Sequence, residues 1–383
     1  MRANWKPDMV FSRNLIWSTL FGGDDLQGLY ARIDDAVEVR NFTVLRRLIN
    51  QCRWLRPFGL EDWKAQRIYD RIVNSLALTQ GIDFARMLVE VAQSAVIGGK
   101  LPASRLPAAI SRLVAAQPQH IIEELLAGQP DDEVAALILY EGVSRGKLSS
   151  KSSSACTTHK RISSHNHPLS ILPLDLLEWE SELDLRTYDL TSQGNSPPYL
   201  CSDSDLHKGS FLSVTTQSTE TTTPQRSKLI ASAVLNWQKG SNGEIEARTF
   251  RIDSDGSVAP LAAMIPRLEL KCTGPDDEIS LLEPPTLNKI FAILYSAASN
   301  GAAYNHGEDA AYGRLKAWLS IAGLIGLSEF TPISEIAHRA LECEWLIFTS
   351  ECDWFYQIAW DIGIACYNPA NQELAVLAAT DTD

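Results

Sequence analysis

Hydrophobic positions recur at spacings of three and four through the first 145 residues, a pattern that predicts helices. The segments DLQGLYARIDDAVEV, FTVLRRLINQCRWL, DWKAQRIYDRIVNSLAL, DFARMLVEVAQSAV, SRLPAAISRLVAAQ, HIIEELLAG and DDEVAALILYEGV follow one another, each with one apolar stripe. In the third, Trp63, Ile68, Ile72 and Leu76 share a face. Gly22-Gly23, Pro57, Gly81, Gly98-Gly99 and Gly128 punctuate the series. Short helices with short connections pack as antiparallel pairs, and a solenoid-like array is one way of stacking them. No clean repeat accompanies them.

The pattern breaks at residue 146. Residues 146–170 include eight serines and few large apolar side chains. A segment of that composition buries too little surface to offset its ordering entropy, and it reads as a linker. Beyond it the period shortens to two. In LLEWESELDLRTYDL, Glu178, Glu180, Glu182 and Asp184 point one way while Trp179, Leu183 and Leu185 point the other, which predicts a strand with a solvated acidic face. Residues 191–226, rich in Ser and Thr, read as a long polar loop. SKLIASAVLNWQ and GEIEARTFRID around KGSN read as a hairpin. SLLEPPTLNKIFAILYSAAS, AAYGRLKAWLSIAGLIG and ISEIAHRALEC restore helical spacing. WLIFT, WFYQIAWDIGIACY and QELAVLAAT close the chain as strands, the last two joined by a turn at NPAN. The expected fold class is α+β. An all-helical domain covers 1–145, the Ser-rich linker 146–170, and an α+β domain with antiparallel strands 171–383, carrying the 191–226 loop.

Charge adds a constraint. The net charge is −13, yet residues 1–145 hold 17 basic and 17 acidic side chains, which cancel. From Ala340 to Asp383 there are eight acids and no Lys or Arg. Such a segment repels phosphate backbones, so no nucleic acid is expected; it suits a basic protein partner or a cation. No window approaches the roughly 18 uninterrupted apolar residues of a membrane span. The N-terminus lacks the layout of a secretory signal, and seven scattered cysteines suit a reducing cytoplasm.

Candidate chemistry is sparse. Cys156, His159, His165 and His167 offer donors that zinc takes, but in a polar segment with no apolar shell to fix them. A His-containing linker is the plainer reading, and no metal or cofactor is expected. The alternating acids 178–184 stand about 7 Å apart, workable for a hard cation but more simply a solvated face. Gly301-Ala302-Ala303-Tyr304 recurs eight residues on as Asp309-Ala310-Ala311-Tyr312, followed by Gly313-Arg314. Small residues permit close backbone approach, Arg314 can clamp a carboxylate bidentately, and His306 and Glu308 lie between. A pocket is expected here if the chain has one; tight packing of a helix on a sheet is the plainer alternative. Phosphate-loop, nucleophile-elbow, zincin and paired-Cys motifs are not found. Cys343, Cys352 and Cys366 sit in aromatic, apolar runs and read as inert core thiols. In ECDWFYQIAWDIG, strand alternation places Cys352, Trp354, Tyr356, Ile358, Trp360 and Ile362 on one face and Asp353 and Asp361 on the other. About 3.3 Å per residue separates those two acids by roughly 26 Å, so they do not form a pair.

The tandem Ala-Ala-Tyr element, with Tyr312-Gly313-Arg314-Leu315 and Ala317-Trp318, then Trp354-Phe355, Ala359-Trp360-Asp361 and the terminal LAVLAATDTD, resembles a domain family described mainly from actinobacteria and without an assigned function. The resemblance covers residues 285–383 and fails over the Ser-rich segment. It implies that the C-terminal segments form one unit, and it brings no activity, cofactor or catalytic residue.

Two functional readings remain. In the first, the chain is a cytoplasmic protein-binding, scaffold or regulatory protein whose acidic C-terminal domain engages a basic partner. In the second it is a carboxylate-dependent hydrolase with an optional divalent cation, using Asp353, Asp361, Asp381 and Asp383 with Arg314 or His306 as charge stabiliser. Tyr304, His306, Tyr312, Arg314, Asp361 and Asp381 are the candidate binding residues.

Overall fold

The computed structural model describes residues 26–55, 62–97, 105–180, 183, 185–188, 206–208, 217–253, 261–273, 279–282, 285–356 and 360–382. The chain divides into two compact units, Met1–Ile138 with Thr187–Gln193, and Leu139–Arg186 with Gly194–Asp383.

The first unit is helical, as its spacing predicts: α1 (Leu26–Glu38), α2 (Phe42–Leu55), α3 (Asp62–Leu78), α4 (Ile82–Ile97), α5 (Arg105–Ala116) and α6 (Gln119–Ala127). The stripes meet in a core that includes Ile33, Leu45, Leu48, Ile68, Ile72, Leu76, Leu88, Ile110 and Leu113. Polar groups tie the pairs together. The Gln117 amide donates to the carbonyls of Ala77 (2.9 Å) and Thr79 (2.8 Å) and accepts from the Gly81 N–H (3.0 Å), closing the turn between α3 and α4. Helix α7 (Asp132–Ser144) runs across the division between the units.

The second unit is built on a seven-stranded sheet in the order β1-β4-β5-β6-β7-β3-β2. The strands are β1 (Leu206–Lys208), β2 (Gln217–Glu220), β3 (Glu244–Asp253), β4 (Ile279–Leu282), β5 (Glu344–Ser350), β6 (Trp360–Asn368) and β7 (Glu373–Asp381). Every neighbouring pair is antiparallel. β6 and β7 are buried on both faces, which is why they read as nearly continuous apolar runs rather than alternating ones. One face carries Phe250, Ile252, Phe348, Ala365, Tyr367, Val376 and Ala378, and packs under a segment containing α11 (Leu261–Met264). Glu246 fastens that segment by accepting the N–H groups of Lys271 (3.1 Å) and Cys272 (3.0 Å). The opposite face is covered by α9 (Pro224–Ile230), α10 (Leu235–Gly240) and α13 (Asp309–Ile325), with α12 (Leu287–Asn300) stacked on α13. A short helix, α14 (Ile333–Ala340), leads into β5.

Several expectations are corrected. The Ser-rich segment 146–170 is not an unstructured linker but part of the second unit. It holds α8 (Ser153–Ser164), whose cap Ser152 accepts the Ala155 N–H through its side chain, and a 3-10 turn at Pro168–Ile171. Ala155, Ile162, Leu169 and Leu172 are fully buried. Serine competes poorly inside helices but caps them well, so a narrow apolar trace is enough once the rest of the unit supplies a surface. The 176–190 strand is replaced at Glu178–Glu180 by a 3-10 turn, with Glu180 buried rather than solvated; Glu182 and Asp184 lie outside the described residues. SKLIASAVLNWQ is helical, not half of a hairpin: Thr223 caps α9 through its side chain and Pro224 sits in the first turn, where a missing N–H costs nothing. β1, β2 and the start of α9 fall within the expected 191–226 loop; residues 191–205 and 209–216 lie outside the described residues. ECDWF is a turn closed by the Phe355 N–H on the Cys352 carbonyl (3.1 Å), so the strand alternation assigned to it does not apply, and Tyr356 is exposed; residues 357–359 lie outside the described residues.

Candidate functional site

The tandem Ala-Ala-Tyr sequence folds in two ways. Thr286 starts α12 by accepting the Lys289 N–H, and Gly301, at a φ of 81° that favours glycine, turns the chain out of it. The first copy is therefore loop. Asn305 Oδ1 accepts from the N–H groups of Ala302 (3.2 Å) and Gly307 (3.0 Å), while its Nδ2 donates to the Asn236 carbonyl (2.8 Å). The Ala303 N–H donates to Asp381 Oδ2 (2.9 Å) and the Tyr304 N–H to Ser241 Oγ (3.2 Å). Ser241 Oγ in turn donates to Asp381 Oδ2 (2.6 Å). The loop is thus stitched to the end of α10 and to the last residue of β7. Asp381 is fully buried, and its Oδ1 has no hydrogen-bond partner among the described residues. Tyr304 is 61% exposed, and His306 is exposed.

The second copy opens α13. Its Ala311 N–H, one of the unsatisfied donors of a first helical turn, is taken by Glu141 Oε1 of α7 (3.0 Å). Tyr312 is half-buried one residue on. Arg186 gathers the end of α12 and the loop: Nε donates to Asn300 Oδ1 (3.0 Å), Nη2 to the carbonyls of Asn300 and His306, and Nη1 lies 3.5 Å from Asp309 Oδ1.

Arg314 does clamp a carboxylate bidentately, but an internal one. Its Nε and Nη2 donate to the two oxygens of Glu180 at 2.6 and 2.8 Å, and both side chains are wholly buried. Nη1 and Nη2 also reach the carbonyls of Pro173 (3.0 Å) and Asp175 (3.2 Å). Trp318 Nε1 (2.7 Å) and the Leu177 N–H (2.7 Å) complete the Glu180 carboxylate. A buried pair that saturated has its desolvation penalty offset by hydrogen bonds on both partners.

The six candidate residues therefore reach separate places. Tyr304 and Asp381 belong to the stitched loop, with His306 contributing a backbone carbonyl to Arg186. Arg314 is spent on Glu180. Asp361 sits opposite Thr380 in the β6–β7 register and accepts its hydroxyl (2.5 Å), whereas Asp381 sits opposite Trp360. Consecutive residues of a strand point to opposite faces, so the two aspartates lie on opposite sides of the sheet. Asp353 is exposed in the turn, and Asp383 lies outside the described residues.

The His and Cys of the Ser-rich segment are each engaged differently. Tyr140 OH meets His159 Nδ1 at 2.8 Å, the Leu169 N–H donates to His167 Nδ1 (3.2 Å), and Cys156 Sγ donates to the Ser150 carbonyl (3.1 Å). Burial pushes His159 below the ordinary histidine range and raises the Tyr140 phenol. Among the described residues no group of three or more His, Cys, Asp or Glu is placed to hold a metal ion, and no helix is long and apolar enough to cross a membrane.

The acidic C-terminal run is only partly free. Glu373 pairs with Arg226 (2.8 Å) and Glu342 with Arg339 (3.2 Å). What stands out is the surface around α14. Ile333, Ile336 and Ala340 bury one side of the helix, while Phe330 before it is 83% exposed and Leu341 after it 63%. Glu329, Glu335, Glu342 and Glu344 are exposed along the same stretch. Amphipathic spacing marks what a helix buries and not what flanks it, so it points to neither Phe330 nor Leu341. Glu141, Arg186 and Ser241 carry no sequence signal either, being isolated polar residues whose partners are distant in sequence.

The chain belongs to a family of unknown function, DUF6183, whose model matches residues 27–383, extending the resemblance of the C-terminal segments back through the Ser-rich segment and the helices. No curated protein and no solved structure matches it.

Proposed function

We propose that this is a cytoplasmic protein-binding module whose C-terminal unit engages a basic partner through the surface around α14. The observation that carries the reading is the pairing of two exposed apolar anchors, Phe330 and Leu341, with four exposed glutamates, against His338 and Arg339 as the basic residues between Glu329 and Glu344. Exposed large apolar side chains among charges of one sign are what a recognition surface needs. The anchors supply binding energy on burial, while the carboxylates, worth about 0–1 kcal/mol each at an exposed position, steer the encounter and select for Lys and Arg. Free thiols at Cys156, Cys272, Cys343, Cys352 and Cys366 fit a reducing compartment.

The test is quantitative capture from a lysate of cells that express the protein. Wild type is compared with Phe330→Ser/Leu341→Ser and with Glu335→Lys/Glu342→Lys, each checked for a native circular dichroism spectrum. A basic protein should be retained by wild type, lost at least tenfold on each variant, and released by raised salt. Equal retention on all three proteins, or a retained protein that is not basic, overturns the proposal.

A further inference from the structure

Cys343 and Cys366 come from different elements and meet on one face. Trp345 pairs with Cys366 across β5 and β6, and Glu344 with Tyr367. Residues two apart along a strand share a face, so Cys343, immediately before β5, falls on the side of the sheet that carries Cys366. That is the helix-covered side, where Arg226 of α9 approaches Cys366. The two thiols lie close enough to interact. Their surroundings differ. Cys343 is half-buried, and its sulfur also lies 3.5 Å from the Arg339 carbonyl. Cys366 is wholly buried. Interaction with the Cys366 thiol, helped by the Arg339 charge, holds the Cys343 thiol below its usual range, while burial pushes Cys366 well above it. The half-buried cysteine is the readier thiolate, and the buried one keeps its proton. The thiolate, not the thiol, is the nucleophile.

We propose that Cys343 and Cys366 form a reversible thiol–disulfide pair that small hydroperoxides oxidise. The Cys343 thiolate attacks the terminal oxygen of the hydroperoxide; an S–O bond forms, the O–O bond breaks, and the leaving alkoxide takes a proton to become an alcohol. Sulfur is oxidised by two electrons and the peroxide reduced by two, leaving a sulfenic acid on Cys343. Cys366 then gives up its proton and attacks that sulfur. An S–S bond forms, the S–O bond breaks, and hydroxide leaves with the released proton as water. The sum is two thiols and one hydroperoxide going to one disulfide, one alcohol and one water; a dithiol reductant reverses it. Cys272 and Cys352 lie elsewhere. Cys272 is buried beside Glu246, whose negative charge opposes a thiolate, and the Cys352 thiol is turned toward the Lys271 carbonyl.

The experiment treats the full-length protein with one equivalent of hydrogen peroxide and maps the cysteines without reduction. No Lys or Arg follows Arg339, so trypsin leaves Cys343, Cys352 and Cys366 on one peptide; Glu-C with Asp-N separates them. A cross-linked Cys343–Cys366 peptide, returned to free thiols by dithiothreitol, is the expected result. In Cys366→Ser, Cys343 should stop at a sulfenic acid that dimedone traps, and in Cys343→Ser no cross-link should form. Wild type needs no variant to fold and already decides the matter. A cross-link joining Cys352 to any partner in preference to this pair, or an unmodified Cys343, overturns the proposal.

Discussion

At the residue scale, the second unit is organised by buried charges more than its composition suggests. Arg314 and Glu180 have no exposure, yet every side-chain nitrogen and oxygen of the pair has a hydrogen-bond partner. Glu180→Leu would leave a guanidinium with two carbonyls and no counter-charge, and should cost about 3–5 kcal/mol in denaturant unfolding. Arg314→Leu should cost a comparable amount. The double replacement removes both charges and strands only Trp318 Nε1, the Leu177 N–H and two carbonyls. It should fall short of the sum of the single costs by about 0.5–3 kcal/mol. Additive costs would mean that the two side chains stabilise the fold independently, against the geometry. Asp381 differs in kind: one oxygen holds a serine and a loop N–H while the other has no partner among the described residues, so its role is to pin the 301–308 loop to the end of β7.

At the element scale, the structure separates what periodicity reveals from what it conceals. Helices α1 to α6 and α14 are legible because each carries one apolar stripe, α12 and α13 because helical spacing runs through segments buried almost all round, and β5 to β7 because their apolar runs are short and bounded by turns. α8 and α9 are not, for opposite reasons. α8 is too polar to announce a core face, and its burial depends on partners outside its own segment, Tyr140 among them. α9 and the turn after it are small and apolar enough to pass as a strand, and only the Thr223-Pro224 start marks them as helical. The Arg314 clamp was legible as chemistry, but its partner was not, since nothing local shows Glu180 turning inward. Two predictions belong at this scale. Gly323 sits inside α13, where Gly→Ala normally stabilises a helix by roughly 0.5–1 kcal/mol. A Cβ there would stand 2.6 Å from the Ile230 nitrogen and 2.8 Å from the Leu229 carbonyl carbon, backbone atoms of the packed α9. Overpacking should win, and Gly323→Ala should destabilise by about 1–3 kcal/mol in chemical denaturation. The second concerns α8. His159 has a folded-state pKa depressed by burial, so the unfolded chain binds the extra proton first. Stability is therefore lost as pH falls through the unfolded value of about 6.5, and the loss levels off below the folded value. Between pH 7.5 and 5.5 the melting temperature of wild type should drop further than that of His159→Asn; equal drops would remove His159 from the account.

At the scale of the whole molecule, composition and contact place the boundary between the units differently. Composition puts it in the serines, at 146–170; packing puts it inside α7, with everything from Leu139 to Arg186 in the C-terminal unit. The packing has specific content. Glu141 caps the α13 start, Tyr140 holds His159 and the Leu172 carbonyl, and the Pro173 and Asp175 carbonyls receive Arg314. A fragment of residues 131–383 keeps α7 whole, including Asp131, whose side chain accepts the Val134 N–H (2.9 Å). It retains all of those contacts and the complete sheet, and should unfold in one cooperative transition with a native near-ultraviolet spectrum. A fragment of residues 171–383 starts where the serines end and keeps the Arg314–Glu180 pair. It loses the Glu141 cap, the Tyr140–His159 contact, α8 and Leu169, exposing the side of the core where Leu172 is buried. Burying one such side chain is worth about 1.5–3 kcal/mol, and a helix end without its cap loses about a further 1. Set against a total stability of roughly 5–15 kcal/mol, those losses should leave the shorter fragment melting at least ten degrees lower, or aggregated. Equal melting temperatures for the two fragments would show that the Ser-rich segment is an appendage, and that the C-terminal unit begins where its composition says it does.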